Sequence, residues 1–529
     1  MFVSSEFRQT KILLKDFEPE YAEGTQADFE SELFDPRLFR KQAELIVQKL
    51  EKYLGDSSIR GLALTKPSLL MQAAQALTRR GAADSPHADE QKLAAIIDLY
   101  IQTGIQVYSR GYMGRQFSGV FPLAGIVDLV SAIVNQPASF YEAGQLPNVA
   151  ERIMAEELNR FIGWPPERYT MVTTSGGSLA NLTALLAARN DKLPRSWTEG
   201  LSTAQGELRP AIALGEDAHY SVHRAAGIIG IGEEQIVRLP INRAKQICIA
   251  QVRPTLEAAE KRGLKVFCLV ASAGTTSVGA FDSIGELAAI AAEKDIWLHI
   301  DGAHGASLLL CDALRHKLRG LERADSLAWD AHKLMFVPAA CTMLFYKNKE
   351  KAHGAFRQEA SYVFDKKLDV YSEYDSAEKN FECTKRPMIM NLWVLWALYG
   401  KAPFAEKIEY LCRLTAEAYE ILTHEPEFET LHQPEANILC FRHRPAPLAQ
   451  KELGDFQVEI RNRLREQGVF FISKVDIDGV AALRVVFMNH EIDREHFRLL
   501  LREIGKTGRD ILDERRLGPP AEAGDRVSL

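Results

Sequence analysis

The chain has 529 residues, with 64 Lys and Arg against 71 Asp and Glu for a formal charge of −7, and 46% of it is apolar. That is an ordinary globular composition, long enough for roughly two to four domains at about 150 residues each. The acidic balance argues against a general nucleic-acid or anionic-membrane binder, and no apolar run approaches the ~20 residues that span a bilayer.

The N-terminal stretch MFVSSEFRQTKILLKDFEPE carries charges where a signal peptide needs a continuous apolar run. Seven cysteines with no C-x-x-C fit a reducing compartment and argue against a disulfide scaffold or a zinc site. A cytoplasmic enzyme without a metal centre is therefore expected. Residues 1–108 read as mostly helical. From Pro36 to Leu54, residues Leu38, Phe39, Ala43, Ile46, Val47, Leu50 and Leu54 recur at helical spacing, and Gly55 ends the run. From about 165 to 346, short β-rich runs alternate with helical segments. The runs are Tyr169–Thr173, Ala211–Leu214, Val266–Ala271, Ile296–Ile300, Ser326–Trp329 and Thr342–Tyr346. Their near-continuous apolar character predicts strands covered on both faces, and the alternation predicts βαβ units in a mainly parallel sheet. Ser283-Ile-Gly-Glu286 has capping-box spacing ahead of Leu287, Ile290 and Ala291. Beyond Gly400, apolar segments Ile438–Phe441, Val469–Ile472 and Leu483–Met488 alternate with helical stretches Phe456–Leu464 and Asp493–Ile504, and Asp478-Gly479 is a hairpin signal. Residues 401–515 thus read as a small C-terminal α/β domain, and 516–529 as a loose tail.

Polar or small residues recur just beyond the C-terminal ends of the parallel strands, where open α/β sheets bind ligands. Ser175-Gly-Gly-Ser178 opens a helix after a strand, so backbone amides and the helix dipole favour an anion there; a glycine-rich turn reads the same way. Its spacing is neither a P-loop nor a dinucleotide fingerprint. Lys333, after Ser326-Leu-Ala-Trp-Asp-Ala-His, suits Schiff-base chemistry, though a solvated loop lysine has the same look. Asp301, leaving a buried strand in Leu298-His-Ile-Asp-Gly-Ala-His-Gly305, needs a partner, such as a protonated ring nitrogen or a turn amide. His219 follows another strand and suits stacking on a flat ring, or a purely structural place.

Together these form a pyridoxal 5′-phosphate (PLP) inventory on an aspartate-aminotransferase-type (fold type I) α/β domain. The ordered set SGGSLAN, DAHYSVHRA, GTTSVGAFD, HIDGAHG and DSLAWDAHK resembles the group II PLP-dependent amino-acid decarboxylases. That family includes the glutamate, cysteine sulfinate, aromatic amino-acid and 2,4-diaminobutyrate enzymes. The resemblance runs strongly from about Ser109 to Gly400, taken as a large PLP-binding domain, and weakly to about residue 505. It implies that Lys333 binds the cofactor as an imine beside His332. Asp301 would pair with the pyridine nitrogen, with Ala303 and His219 on opposite ring faces. Gly177 and Ser178 would hold the phosphate near Asp330, where the family more often has Asn, and Thr275 would lie near the reactive side. Ser109–Ser118 is similar to the family's substrate-pocket segment but lacks its opening His-Pro. Within it Ser118 matches a contact hydroxyl, while Arg115 and Gln116 lie near the place that handles a distal carboxylate.

Residues 360–385 are similar to the mobile catalytic loop of the glutamate and cysteine sulfinate enzymes, set near 350–380. The resemblance makes Tyr362 the proton donor to the carbanion and sets Lys385, with Arg386 beside it, where the family has a carboxylate-binding Arg. It also implies a homodimer, with the N-terminal segment packing in it and active sites at the interface. The expected activity is α-decarboxylation of an L-amino acid, with Arg115 favouring a short acidic side chain. Diamino and aromatic substrates stay open, as do an aminotransferase or aldehyde-forming deaminase on the same fold. A regulatory homologue without activity is disfavoured by the presence of Lys333, Asp301 and His219.

Overall fold

The computed structural model describes residues 34–56, 60–79, 86–201, 208–356, 374–445 and 447–517. Its first helix, α1 (Pro36–Gly55), starts with Asp35 as N-cap, accepting from the Arg37 amide at 2.8 Å, and Pro36 in the first turn. α2 (Pro67–Thr78) and α3 (Pro86–Gln102) follow, and a two-residue ladder pairs β1 (Leu62–Ala63) with β2 (Gly104–Ile105). The apolar stripe of α1 is present but uncovered: Phe39, Val47, Leu50 and Leu54 are each at least 40% exposed. α4 (Pro122–Val134) is similar, with Ile126, Leu129, Val130, Ile133 and Val134 exposed.

After α5 (Gln145–Ile162) comes β3 (Thr170–Thr174), then α6 (Gly177–Lys192), β4 (Arg209–Gly215), α7 (Tyr220–Ile228), β5 (Ile236–Leu239), α8 (Ile249–Lys261), β6 (Leu264–Ser272), α9 (Ile284–Glu293), β7 (Trp297–Asp301), β8 (Ser326–Asp330) and β9 (Thr342–Tyr346). The seven strands form one sheet in the order β3-β9-β8-β7-β6-β4-β5, parallel except for β9, which runs against both β3 and β8. β7, β8 and β9 are buried at every position, as two-sided cover requires. β5 was not expected from sequence. Its four residues include the exposed Arg238, and as an edge strand it needs cover on one side only. Ser283 is the N-cap of α9, but its side chain makes no capping hydrogen bond; its carbonyl instead accepts from the Glu286 amide at 3.1 Å.

The crossovers leave the C-terminal ends of β3, β4, β6, β7 and β8 on one sheet edge, so the loops after them converge. α10 (Ile389–Tyr399) and α11 (Ala402–Thr423) lead to a second, antiparallel sheet ordered β10-β11-β13-β12. Its strands are β10 (Phe428–Thr430), β11 (Ile438–His443), β12 (Ser473–Ile477) and β13 (Val480–Val486), with helices α12 (Gln450–Gln467) and α13 (Arg494–Leu517). Asp478 and Gly479, both at positive φ, make the two-residue turn between β12 and β13.

The expected strand Val469–Ile472 is instead a connector. Its backbone is engaged elsewhere: the Phe471 amide donates to Gly111 O and its carbonyl accepts from Met113 N, both at 2.9 Å. Together with Val486 N donating to Met113 O at 2.9 Å, this stitches residues 111–113 onto the second sheet. One hydrophobic core runs through both sheets, from Leu269 and Leu298 to Phe441 and Leu483. No helix among the described residues is long and apolar enough to cross a membrane.

A buried ion pair locks the segment before α10 against α5. Lys385 Nζ donates to Glu151 Oε1, which also accepts from Thr173 Oγ1, and the Lys385 side chain is fully buried. Truncating one partner strands the other charge, so Glu151→Ala should cost about 3–5 kcal/mol in a denaturant melt. Adding Lys385→Met should restore most of that loss, because the buried cation is then gone.

Candidate active site

The converging loops enclose a cavity of about 410 Å³ that contains Lys333, Asp301 and His219 together. Arg115, Gln116, Gly177, Ser178, Thr275, Ala303, Asp330 and His332 line the same cavity, so it gathers most of the residues singled out from sequence.

Asp301 ends β7, buried, and is held by a chain of hydrogen bonds with one direction. Trp297 Nε1 donates to Ser326 Oγ (2.9 Å) and Ser326 Oγ lies 2.8 Å from His299 Nδ1. His299 Nε2 then faces Asn181 Oδ1 at 3.0 Å, and Asn181 Nδ2 donates to Asp301 Oδ2 at 2.9 Å. An amide oxygen can only accept, so the proton of His299 sits on Nε2. Burial holds the His299 pKa down to about 4, against the pull of Asp301, and the ring stays neutral. Asn181 also donates to Ser221 Oγ at 2.9 Å, and that hydroxyl lies 2.7 Å from His219 Nδ1. His219 is the N-cap of α7, and burial lowers its pKa, which keeps it neutral at pH 7. The other Asp301 oxygen accepts from the Ala303 amide at 3.3 Å.

Lys333 Nζ lies 2.9 Å from Asp330 Oδ2, and Thr342 Oγ1 donates to Asp330 Oδ1 at 2.5 Å. Burial alone would raise the Asp330 pKa, but the charges of Lys333 and His332 and the Thr342 bond outweigh it and hold the carboxyl below its usual range. His332 stands 3.5 Å from the same carboxylate through Nε2, with Nδ1 2.9 Å from Cys341 O. Ser118 is not among the lining residues. Its hydroxyl donates to Lys333 O at 3.0 Å, fixing the lysine backbone. Thr275 lines the cavity with Oγ1 accepting from Ala280 N at 3.1 Å.

These residues fit a bound PLP. α6 begins at Gly177, where a Cβ would come within 3.1 Å of Asp330 Oδ1 and 3.4 Å of Ala303 Cβ. The Leu179 and Ala180 amides donate to Gly176 O, which leaves the Gly177 and Ser178 amides, among the described residues, for an anion, with the exposed Ser178 side chain beside them. Asp301 supplies the buried acid for a ring nitrogen, and Lys333 the amine. Gln116 Nε2, His304 Nδ1 and Arg484 Nη2, all from residues lining the cavity, are buried with no partner among the described residues.

Two expected substrate residues are elsewhere. Lys385 is turned into the core by Glu151, because a buried lysine is tolerable only against a carboxylate. Arg386 reaches Asp128 at 3.3 Å with a mostly exposed side chain, outside the cavity lining. Tyr362 lies outside the described residues. Conversely, Arg484, Asn181 and His299 were not singled out from sequence. Arg484 carried a usable signal, being the lone charge in the apolar run Ala481–Met488. It is buried on β13, donates from Nε to Ser277 O at 2.9 Å, and burial lowers its pKa.

The pyridoxal-dependent decarboxylase conserved domain matches residues 75–444. The acidic amino acid decarboxylase GADL1 of Xenopus tropicalis is 26% identical over 441 residues, covering 80% of this chain and 84% of that protein. The Homo sapiens protein of that name is 27% identical over 447 residues, covering 82% and 84%. Mouse CSAD in apo form superposes with a TM-score of 0.81 at 23% identity, over 90% of this chain and 99% of that one. Oryza sativa TDC with PLP and tryptamine gives a TM-score of 0.81 at 21% identity, over 92% and 100%. The fold is thus that of the fold type I decarboxylases, and the sequence family matches the cavity's chemistry. This chain belongs to the pyridoxal-dependent decarboxylase family and is a PLP-dependent amino-acid decarboxylase.

Proposed function

We propose that the substrate is an L-amino acid with a short acidic side chain, of the glutamate, aspartate or cysteine sulfinate type. The observation that carries this is the pair of guanidinium groups in one cavity, Arg115 from the 109–118 segment and Arg484 from β13. Neither forms an ion pair among the described residues, and Arg484 Nη2 is buried without a partner. Two cations match the two acidic groups of such a substrate by charge-assisted hydrogen bonds. The acidic amino acid decarboxylase relatives support the same reading.

Bound PLP supplies an electron sink for the bond to the departing carboxylate. Lys333 would hold the cofactor and later release the product. Asp301, oriented by Asn181, would hold the ring nitrogen protonated, with His219 and Ala303 flanking the ring. Gly177 and Ser178 would bind the phosphate, with Asp330, His332 and Thr275 shaping the site around it. Tyr362 would return a proton to the substrate α-carbon while water is excluded. The uncovered apolar faces of α1 and α4 support a homodimer, since a contiguous exposed patch of that kind marks an interface. The seven free cysteines support a reducing, cytoplasmic setting.

The decisive experiment is CO₂ release from a panel of amino acids by the purified, PLP-loaded enzyme; turnover of diamino or aromatic amino acids alone would overturn the acidic reading. Lys333→Ala should abolish the cofactor adduct trapped by borohydride and nearly all turnover. Arg484→Met should lower kcat/KM by roughly 30- to 1,000-fold, the equivalent of about 2–4 kcal/mol for an acid left unpaired. Tyr362→Phe keeps the ring but lacks the phenolic proton. It should retain cofactor and slow CO₂ release while the amine-to-aldehyde product ratio, read by mass spectrometry, falls.

A further inference from the structure

Two further guanidinium groups extend the positive charge beyond Arg115, and the catalytic reading leaves them unused. Arg461 and Arg465 lie one turn apart on α12, half-buried, and the Nε of each is out of solvent with no hydrogen-bond partner among the described residues. The backbone stitching of residues 111–113 to Phe471 ties the segment that carries Arg115 to the chain leaving this helix. The Arg461 guanidinium lies 5.9 Å from the centroid of the Phe471 ring. That ring stacks on Tyr112 at 5.9 Å, and the Tyr112 hydroxyl donates to Arg115 O at 3.5 Å. Burial, then the like charges of Arg465 and Arg115, hold the Arg461 pKa below the usual arginine range, and Arg115 also bears on Arg484.

A row of cations therefore leads from α12 through Arg115 to Arg484, and among the described residues none of the four forms an ion pair. The contrast on the same helix is Arg463, neutralised by Glu459 at 2.7 Å and Glu514 at 2.6 Å. Neighbouring like charges repel, and partial burial reduces the screening by water, so the row favours an incoming anion. It favours one with two negative groups most.

We propose that Arg461 and Arg465 form an outer capture step for the acidic substrate, selecting it by charge before it reaches Arg115. This rests on the acidic reading given above. They stand outside the cavity lining and act through their charge alone, so they are specificity residues with no part in the bond-breaking step.

The test uses the PLP-loaded enzyme and whichever of aspartate, glutamate and cysteine sulfinate the wild type decarboxylates fastest. Initial rates are measured at ionic strengths of about 0.02 M and about 0.3 M, which bracket strong and weak screening. Arg461→Met with Arg465→Met should raise KM at low salt by about 3- to 10-fold, leave kcat within about twofold and flatten the salt dependence of kcat/KM. The Lys versions of both positions keep the charge and should keep wild-type kinetics. Arg463→Met should also match wild type. Visible cofactor absorption and the melting temperature check each variant, and the single Met variants stand in if the double one melts early. Wild-type KM and salt slope in the Met variants, or an equal change in Arg463→Met, would overturn the capture step alone. A wild-type enzyme that decarboxylates none of the three acids would overturn the acidic reading, and the capture step with it.

Discussion

A carboxylate at the end of a buried strand must be held by donors, or burial drives it to its neutral form. Asp301 is that carboxylate, and much of the site is arranged around it. Asn181, one turn into α6, spends one amide proton on Asp301 and the other on Ser221, so a single side chain sets both the acid and, through Ser221, the imidazole of His219. Asn181 is itself fixed by neutral His299, backed by Ser326 and the Trp297 indole. Each donor has one acceptor along this path. That directionality fixes the His299 tautomer and leaves Asp301 an acceptor, as a carboxylate facing a protonated ring nitrogen must be.

Lysines and arginines meet opposite fates here for one electrostatic reason. Lys385 is fully buried and matched one-to-one by Glu151, which neutralises it and makes it part of the frame. Lys333 is matched by Asp330 yet lines the cavity, so its amine is held in place and accessible. Arg484 is buried with no ion pair among the described residues, Asp217 acting on it only from beyond bonding distance, its Nε spent on a backbone carbonyl and Nη2 left over. A buried cation without a counter-charge is costly, and the cost is relieved when an anion arrives. The cavity thus separates structural charge, compensated internally, from charge kept for a ligand.

The motifs SGGSLAN, DAHYSVHRA, HIDGAHG and DSLAWDAHK were legible because each lies at the C-terminal end of a strand that the apolar pattern marks, and parallel topology brings such ends together. Lys333, Asp301 and His219 meet in one cavity for that reason. The helix at 36–55 was equally legible, since a 3.6-residue stripe and a glycine that ends it are local signals. Its uncovered apolar face was not, because periodicity reports that a face is apolar and not what covers it.

What only the tertiary structure decided depends on contacts between distant segments. Val469–Ile472 has the composition of a strand, but its backbone is claimed by residues 111–113, more than 350 positions earlier, and the strand begins at Ser473 instead. The resemblance sets Lys385 where the family has a carboxylate-binding Arg, and Glu151 on α5 turns it inward. Arg484 belongs to the second sheet and reaches the first sheet's cavity only because the two share one core. Local sequence by itself determined which residues are equipped for the cofactor, since strand-end chemistry is set within a few residues. Which cations are paired and which are not was decided by the fold, because a charge's partner is chosen by distance in space and not along the chain.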